Sequence, residues 1–351
     1  MAIPAHARTL VTRILVAALW MALPAYILFV AMQTTFVEGV YIATIRNMYF
    51  GCMEFVDQRT AYRMKPGSCA LDNIEYRTTM THDRAGFRND AETSAPRVAV
   101  LGDSHAYGHG VNDGETFAAL LGRSLRVPVR NLALPAFATR RELEALKAHG
   151  LSADIIVLQY CDNDIDENLP SLDLPEDAYQ RLLRGRMAAV MSNYSQTKGR
   201  STFAQGLQTL NYAAQGLIAA RLFRLSRYAP DESALPREAD AFARLMGEYR
   251  HLLAGKTVIV LESSGWGRNR KGFAEEFSKR LRQVPDVDWV VLDSSALLGR
   301  ADYFRLDDHL NAAGHAQLAS ALTALLSARL SASVSGGHPP GDPESAARRD
   351  Q

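Results

Sequence analysis

No charge of either sign dominates this sequence: 39 lysines and arginines stand against 38 acidic residues, a net charge of +1 over 351 residues. A nucleic-acid partner, which usually selects a basic excess, is therefore not expected. No internal repeat is present, which sets aside solenoids and arrays. Cysteine is scarce, with 3 residues, and only Cys52 and Cys69 share a polar segment. Outside the cytoplasm that pair can oxidise; spacing alone does not choose between a disulfide and two thiols. Cys161 ends an apolar run and reads as a buried free thiol. Runs that are both long and almost wholly apolar are absent too, with one exception. ILVAALWMALPAYILFVAM fills positions 14–32, and no charge follows Arg13 until Glu38. About 20 apolar residues cross a bilayer. Arg8 and Arg13 precede the run, so the N-terminus is expected in the cytoplasm and the bulk of the chain outside it. No small-x-small cleavage site follows, so the run reads as an uncleaved anchor rather than a signal peptide. The expected layout is a cytoplasmic N-terminus over 1–13, a transmembrane anchor over 14–36 and a juxtamembrane segment over 37–95. A catalytic-size domain over 96–330 follows, with an insertion at 165–236, and a disordered tail over 331–351.

What the domain does contain is alternation. Continuous apolar runs at Val98–Leu101, Val127–Leu132, Ile155–Tyr160, Thr257–Leu261 and Trp289–Leu292 predict strands. Between and after them, Glu115–Leu125, Thr139–His149, Arg237–Ala254, Lys271–Arg282 and Asn311–Leu330 predict helices. Strands with no polar alternation imply a parallel sheet covered on both faces, an α/β fold with a five-stranded sheet between two helical layers. In the insertion, Phe203, Leu207, Leu210, Ala214 and Leu217 keep helical spacing. That helix would pack on the domain, cover the site as a lid, or rest on the membrane.

Three polar clusters fall at the C-terminal ends of predicted strands, where such folds bind ligands. VLGDSHAYGHGV holds Ser104, CDND holds Asn163, and DDHLN, just before the last helix, holds His309. A serine hydroxyl is a weak nucleophile until a base takes its proton, and His309 can be that base. An acid beside it would hold the other ring nitrogen. These residues resemble the SGNH (GDSL-type) hydrolase family. VLGDSHAYGHGV is similar to the family's first block, NLALPAFAT (131–139) to the second, DNDI to the third and DDHLNAAGH to the fifth. AGFR (85–88) is similar to a stretch preceding the nucleophile strand in membrane-anchored members. The resemblance implies a flavodoxin-like sandwich in which Ser104 is the nucleophile and His309 the base. It also implies an oxyanion hole built from the N–H groups of Ser104 and Ala133 and the Asn163 side chain. Ala133 stands where the family is expected to have a glycine. The acid normally three residues before the histidine is replaced by Leu306. Asp307 matches a variant spacing and is the expected orienting acid; Asp308 is expected to cap the helix starting near Asn311.

The resemblance further implies ester chemistry without metal or organic cofactor. The expected substrate is an acylated small molecule or glycan, such as an O-acetyl ester of a cell-envelope glycan or lipid. O-acyl transfer to an envelope polysaccharide, or an inactive envelope assembly protein, are the alternatives. Gly-Asp-x-His also opens metallophosphoesterase sites, with Asp103 and His105 as ligands, but the further Gly-Asp and Asn-His elements are missing. Asp103 then reads as structural, Asp164 as a brace of the Asn163 turn and Arg88 as a salt-bridged structural residue. His105 and His109 read as loop residues near the cleft without a clear partner, and Gly108 and Gly110 as what makes that loop compact.

Overall fold

The computed structural model describes residues 51–56, 60–72, 75–89, 95–149, 153–198, 231–304 and 307–335, with Arg13, Val16 and residues 20–22. Its centre is a five-stranded parallel sheet of β5 (Val98–Leu101), β6 (Val129–Asn131), β7 (Ile155–Tyr160), β8 (Thr257–Glu262) and β9 (Asp288–Leu292). The spatial order is β6-β5-β7-β8-β9. Register runs from Val98 opposite both Val129 and Ile155 to Thr257 opposite Asp288. β5 and β7 are buried at every residue, whereas β9 is half-exposed. That burial is why the central strands read as unbroken apolar runs.

Two groups of helices cover the sheet. α2 (Phe117–Leu125) packs with α9 (Ala312–Ser335). α3 (Thr139–Ala148), α4 (Ile165–Asp173), α6 (Leu235–Glu248) and α8 (Phe273–Leu281) form the second group. α1 (Ser104–Tyr107), α5 (Glu176–Lys198) and α7 (Arg250–Leu253) are the other α-helices among the described residues. α2 begins at Thr116, whose hydroxyl accepts from the Ala119 N–H at 3.2 Å, an N-cap that satisfies one of the helix's orphan donors. The helix expected over 237–254 is two helices, α6 and α7, parted at Tyr249. The last helix runs to Ser335, so the first residues of the expected tail are helical.

The segment read as a juxtamembrane linker is partly β-structure. β1 (Met53–Phe55) pairs with β2 (Tyr62–Met64), and β3 (Gly67–Asp72) with β4 (Arg77–His82), both antiparallel. Cys52 and Cys69 are joined as a disulfide, and Cys161 is free and buried. Met64, Leu71 and Met80 are fully buried in the same hydrophobic core as the sheet. Each such side chain contributes about 1.5–3 kcal/mol, enough in sum to dock the hairpins firmly on the domain.

The expected anchor lies almost wholly outside the described residues, of which Val16, Trp20 and Met21 are exposed. No helix among the described residues is long and apolar enough to cross a membrane. The expected helix at Phe203–Leu217 also lies outside them; the described parts of the insertion are α4, α5 and residues 231–236, where α6 begins.

Candidate active site

The order β6-β5-β7 means that the chain leaves β5 towards one side of the sheet and later returns to the other. Such a reversal opens a crevice at the strands' C-terminal ends. Gly102–Ser104 follows β5 and Cys161–Asn163 follows β7, so both lie at that crevice.

The turn at Ser104 is held by its neighbours. The Asp103 carboxylate accepts from the His105 N–H at 2.9 Å. Gln159 on β7 accepts from the N–H groups of Asp103 at 3.1 Å and Ala106 at 3.2 Å. Burial, partly offset by that His105 bond, lifts the Asp103 carboxyl to about 6. Gly108 and Gly110 take φ of +86° and +82°, a region costly for residues with a Cβ. A Cβ on Gly110 would also come within 2.7 Å of Phe304 and 2.9 Å of Tyr76. Arg88 is buried, pairs with Asp113 at 2.7 Å and donates to the carbonyls of Tyr107, Gly108 and Val111. It fastens the loop that follows Ser104.

His309 sits on a loop pinned by an antiparallel bridge between Tyr303 and Leu310. Its Nε2 is 2.7 Å from Ser104 Oγ, and its Nδ1 is 2.5 Å from Asp307 Oδ1. Ser104 and His309 are partly exposed, whereas Asp307 is buried. Burial opposes a charge on His309, but Asp307 and Asp308 outweigh it and raise the imidazole to about 9. Burial likewise opposes ionisation of Asp307. His309 and the bonds from His109 and His309 prevail, holding its carboxyl well below the usual range.

Asp308 is not a helix cap. Its carboxylate is half-exposed and 3.3 Å from His309 Nδ1, while Asn311 Oδ1 accepts the Gly314 N–H at 3.0 Å and caps α9. Asparagine directly before the helix is the better-placed side chain for those first N–H groups.

His105 and His109 do have partners. His105 Nδ1 lies 3.2 Å from Ser263 Oγ, and its ring stands 4.8 Å from that of His309. His109 is fully buried, with Nε2 3.0 Å from Asp307 Oδ2 and against the Tyr76 hydroxyl. Burial, then the neighbouring His309, lowers its pKa. Tyr76 donates to Asp307 Oδ2 at 2.6 Å, and Glu75 accepts the Asp307 N–H at 2.8 Å. Neither residue was anticipated from sequence. A turn signal at Asp72-Asn73 and alternation in RTTMTH could have flagged the hairpin, but nothing local ties Tyr76 to Asp307.

The expected oxyanion donors divide. Asn163 is exposed in the turn after β7, at the crevice. Ala133 is fully buried and its N–H is spent on Asn131 Oδ1 at 3.0 Å, so it cannot face a substrate. Three residues on, Ala136 is exposed with φ +58°, the conformation in which glycine is favoured. Asp164 is buried, with its carboxylate 3.4 Å from the Cys161 N–H and 3.5 Å from the Thr139 hydroxyl; it braces the turn.

The ligand atoms of His109, Asp307 and His309 lie within 4.8 Å of one another, a spacing a metal ion could use. Yet Asp307 already accepts from His309 N and Nδ1 on one oxygen and from Tyr76 and His109 on the other. A carboxylate saturated in this way has no lone pair directed at an ion.

No family model and no curated protein matches the chain. Among solved structures it is similar to the salicylyl-acyltransferase SsfX3 from a tetracycline biosynthetic pathway, at 17% identity and TM-score 0.35 over 69% of this chain. It spans 57% of the length of that protein. It is also similar to TesA, at 14% identity and TM-score 0.33, covering 64% of this chain and 93% of that one. A Corynascus thermopiles carbohydrate esterase family 2 enzyme with a carbohydrate-binding domain shares 13% identity, with TM-score 0.36 over 70% of this chain and 75% of that one.

Proposed function

We propose that this chain is a serine esterase or deacylase of SGNH type, built on a three-layer α/β/α sandwich and acting outside the cytoplasm. The observation that carries the reading is the unbroken line from Ser104 Oγ through His309 to Asp307. His309 Nε2 takes the hydroxyl proton as Oγ attacks the ester carbonyl, and later passes it to the departing alkoxide. Asp307 keeps the other proton on Nδ1 and stabilises the imidazolium. The oxyanion is met by the N–H of Ser104, the side chain of Asn163 and, in place of Ala133, the N–H of Ala136. Each such donor is worth about 3 kcal/mol in the transition state. Water then releases the acyl group.

An acyl (O-acetyl) ester on a cell-envelope glycan or lipid is the substrate that fits an anchored domain on the outer side. The decisive experiment is labelling with a fluorophosphonate probe together with hydrolysis of a short-chain aryl ester. The wild type should be labelled and active, and Ser104→Ala neither, with an unchanged melting curve. Hydrolysis that survives Ser104→Ala would overturn the reading.

A further inference from the structure

We infer that Tyr76 is a positioning residue for the catalytic acid, delivered together with Glu75 by the N-terminal hairpin; this rests on Asp307 being the acid that orients His309. A carboxylate has two oxygens, and His309 uses only one. If the other were unheld, the group could turn about its Cβ–Cγ bond and misalign the imidazole. Here Oδ2 accepts the Tyr76 hydroxyl at 2.6 Å and His109 Nε2 at 3.0 Å. The backbone of the same residue is fixed by its N–H on Glu75 at 2.8 Å.

The hydroxyl does more than fill space. Tyr76 is buried, tilted against Phe304 at 4.8 Å and edge-on to His109 at 5.4 Å. A phenylalanine would keep both ring contacts and lose the hydroxyl, with its donation to Asp307 and its contact with His109 Nε2. Its removal has a signed electrostatic consequence. Donation to Oδ2 draws negative charge away from the His309 side of the carboxylate. Without it, the imidazolium is better stabilised and the base harder to free. The other groups facing His309 are Asp103, His105 and His109 around the nucleophile turn and Asp308 on its own loop. Of these only His109 touches the Tyr76 hydroxyl, and in the variant it keeps its contact with Asp307 Oδ2.

The test compares wild-type full-length protein in detergent with Tyr76→Phe, using 4-nitrophenyl acetate across the titration of His309. Tyr76→Phe should lower kcat about tenfold or more with KM within about twofold, and move the acidic limb of the pH profile to higher pH. Glu75→Ala should lower kcat in the same way, and Glu75→Gln, which keeps an acceptor, less. A Tyr76→Phe enzyme with wild-type kcat and pH limb overturns the inference. So does a fall in kcat that tracks a lower melting temperature without moving the limb, because that marks support of the fold alone. Ser104→Ala measured alongside separates the levels. If Ser104→Ala is inactive while Tyr76→Phe behaves as wild type, only the role of Tyr76 falls. If Ser104→Ala stays active, the triad itself falls.

Discussion

At the scale of single residues, the two acids beside His309 have different work. Asp307 is buried and holds Nδ1 at 2.5 Å, whereas Asp308 lies at 3.3 Å with its side chain 46% exposed. Asp307→Asn should therefore lower kcat by several orders of magnitude, comparable to the roughly 10⁴-fold loss when a triad acid becomes an amide. Asp308→Asn removes a charge and leaves the geometry alone. The base acts only when neutral, so ester hydrolysis should rise with pH to a midpoint near 9. Asp308→Asn should shift that midpoint downward and increase activity at neutral pH. A pH–rate profile of both variants checks each statement. Stability moves the opposite way. A histidine whose folded pKa is raised from 6.5 to about 9 stabilises the fold fully below its unfolded value, and that contribution is lost as pH rises through 9. Melting temperature should thus decline over the window in which activity appears.

At the scale of elements, the disulfide joins Cys52, just before β1, to Cys69 in β3. It closes a loop of 17 residues, for which the loss on removal is about 3 kcal/mol. Replacing both cysteines by serine, or adding a reductant, should lower the denaturant midpoint accordingly. Because β3 leads to Glu75 and Tyr76, ester hydrolysis should fall as well; an unchanged midpoint would show the bond to be dispensable. The elements also show what was legible in the sequence. β5, β7 and β8 are apolar at nearly every position because both faces are covered, so their runs announced a parallel sheet. The hairpin strands β1 to β4 are only three to six residues long and mix polar with apolar residues, and they merged into an apparent linker. Helix ends moved where a cap decided them, at Thr116 and Asn311. Ser104, Asn163 and His309 could be read from their order along the chain. The proposed exchange of Ala133 for Ala136 was not legible, because a positive φ leaves no mark on an alanine's identity. Tyr76 and His109 reach Asp307 across 231 and 198 positions, a juxtaposition that only the folded chain makes.

For the molecule as a whole, the proposed outward orientation has its own test. Protease added to intact spheroplasts should digest the domain, whereas full protection would place it on the inner side or leave it unexported. The hairpin's role also moves the functional boundary of the domain upstream of position 96. A chain beginning there keeps the sheet and Ser104, yet lacks the two residues that steady Asp307. The distance between those parts has a consequence in time. Glu75 and Asp307 are separated by 232 positions, and synthesis at about 5–20 residues per second puts roughly ten to fifty seconds between them. For most of that interval, from Ser104 onward, the nascent chain holds the proposed nucleophile and the hairpin that will brace Asp307, but neither Asp307 nor His309. The proposed ester chemistry therefore has to wait until Asp307 and His309, just ahead of α9, have been made and have reached Ser104.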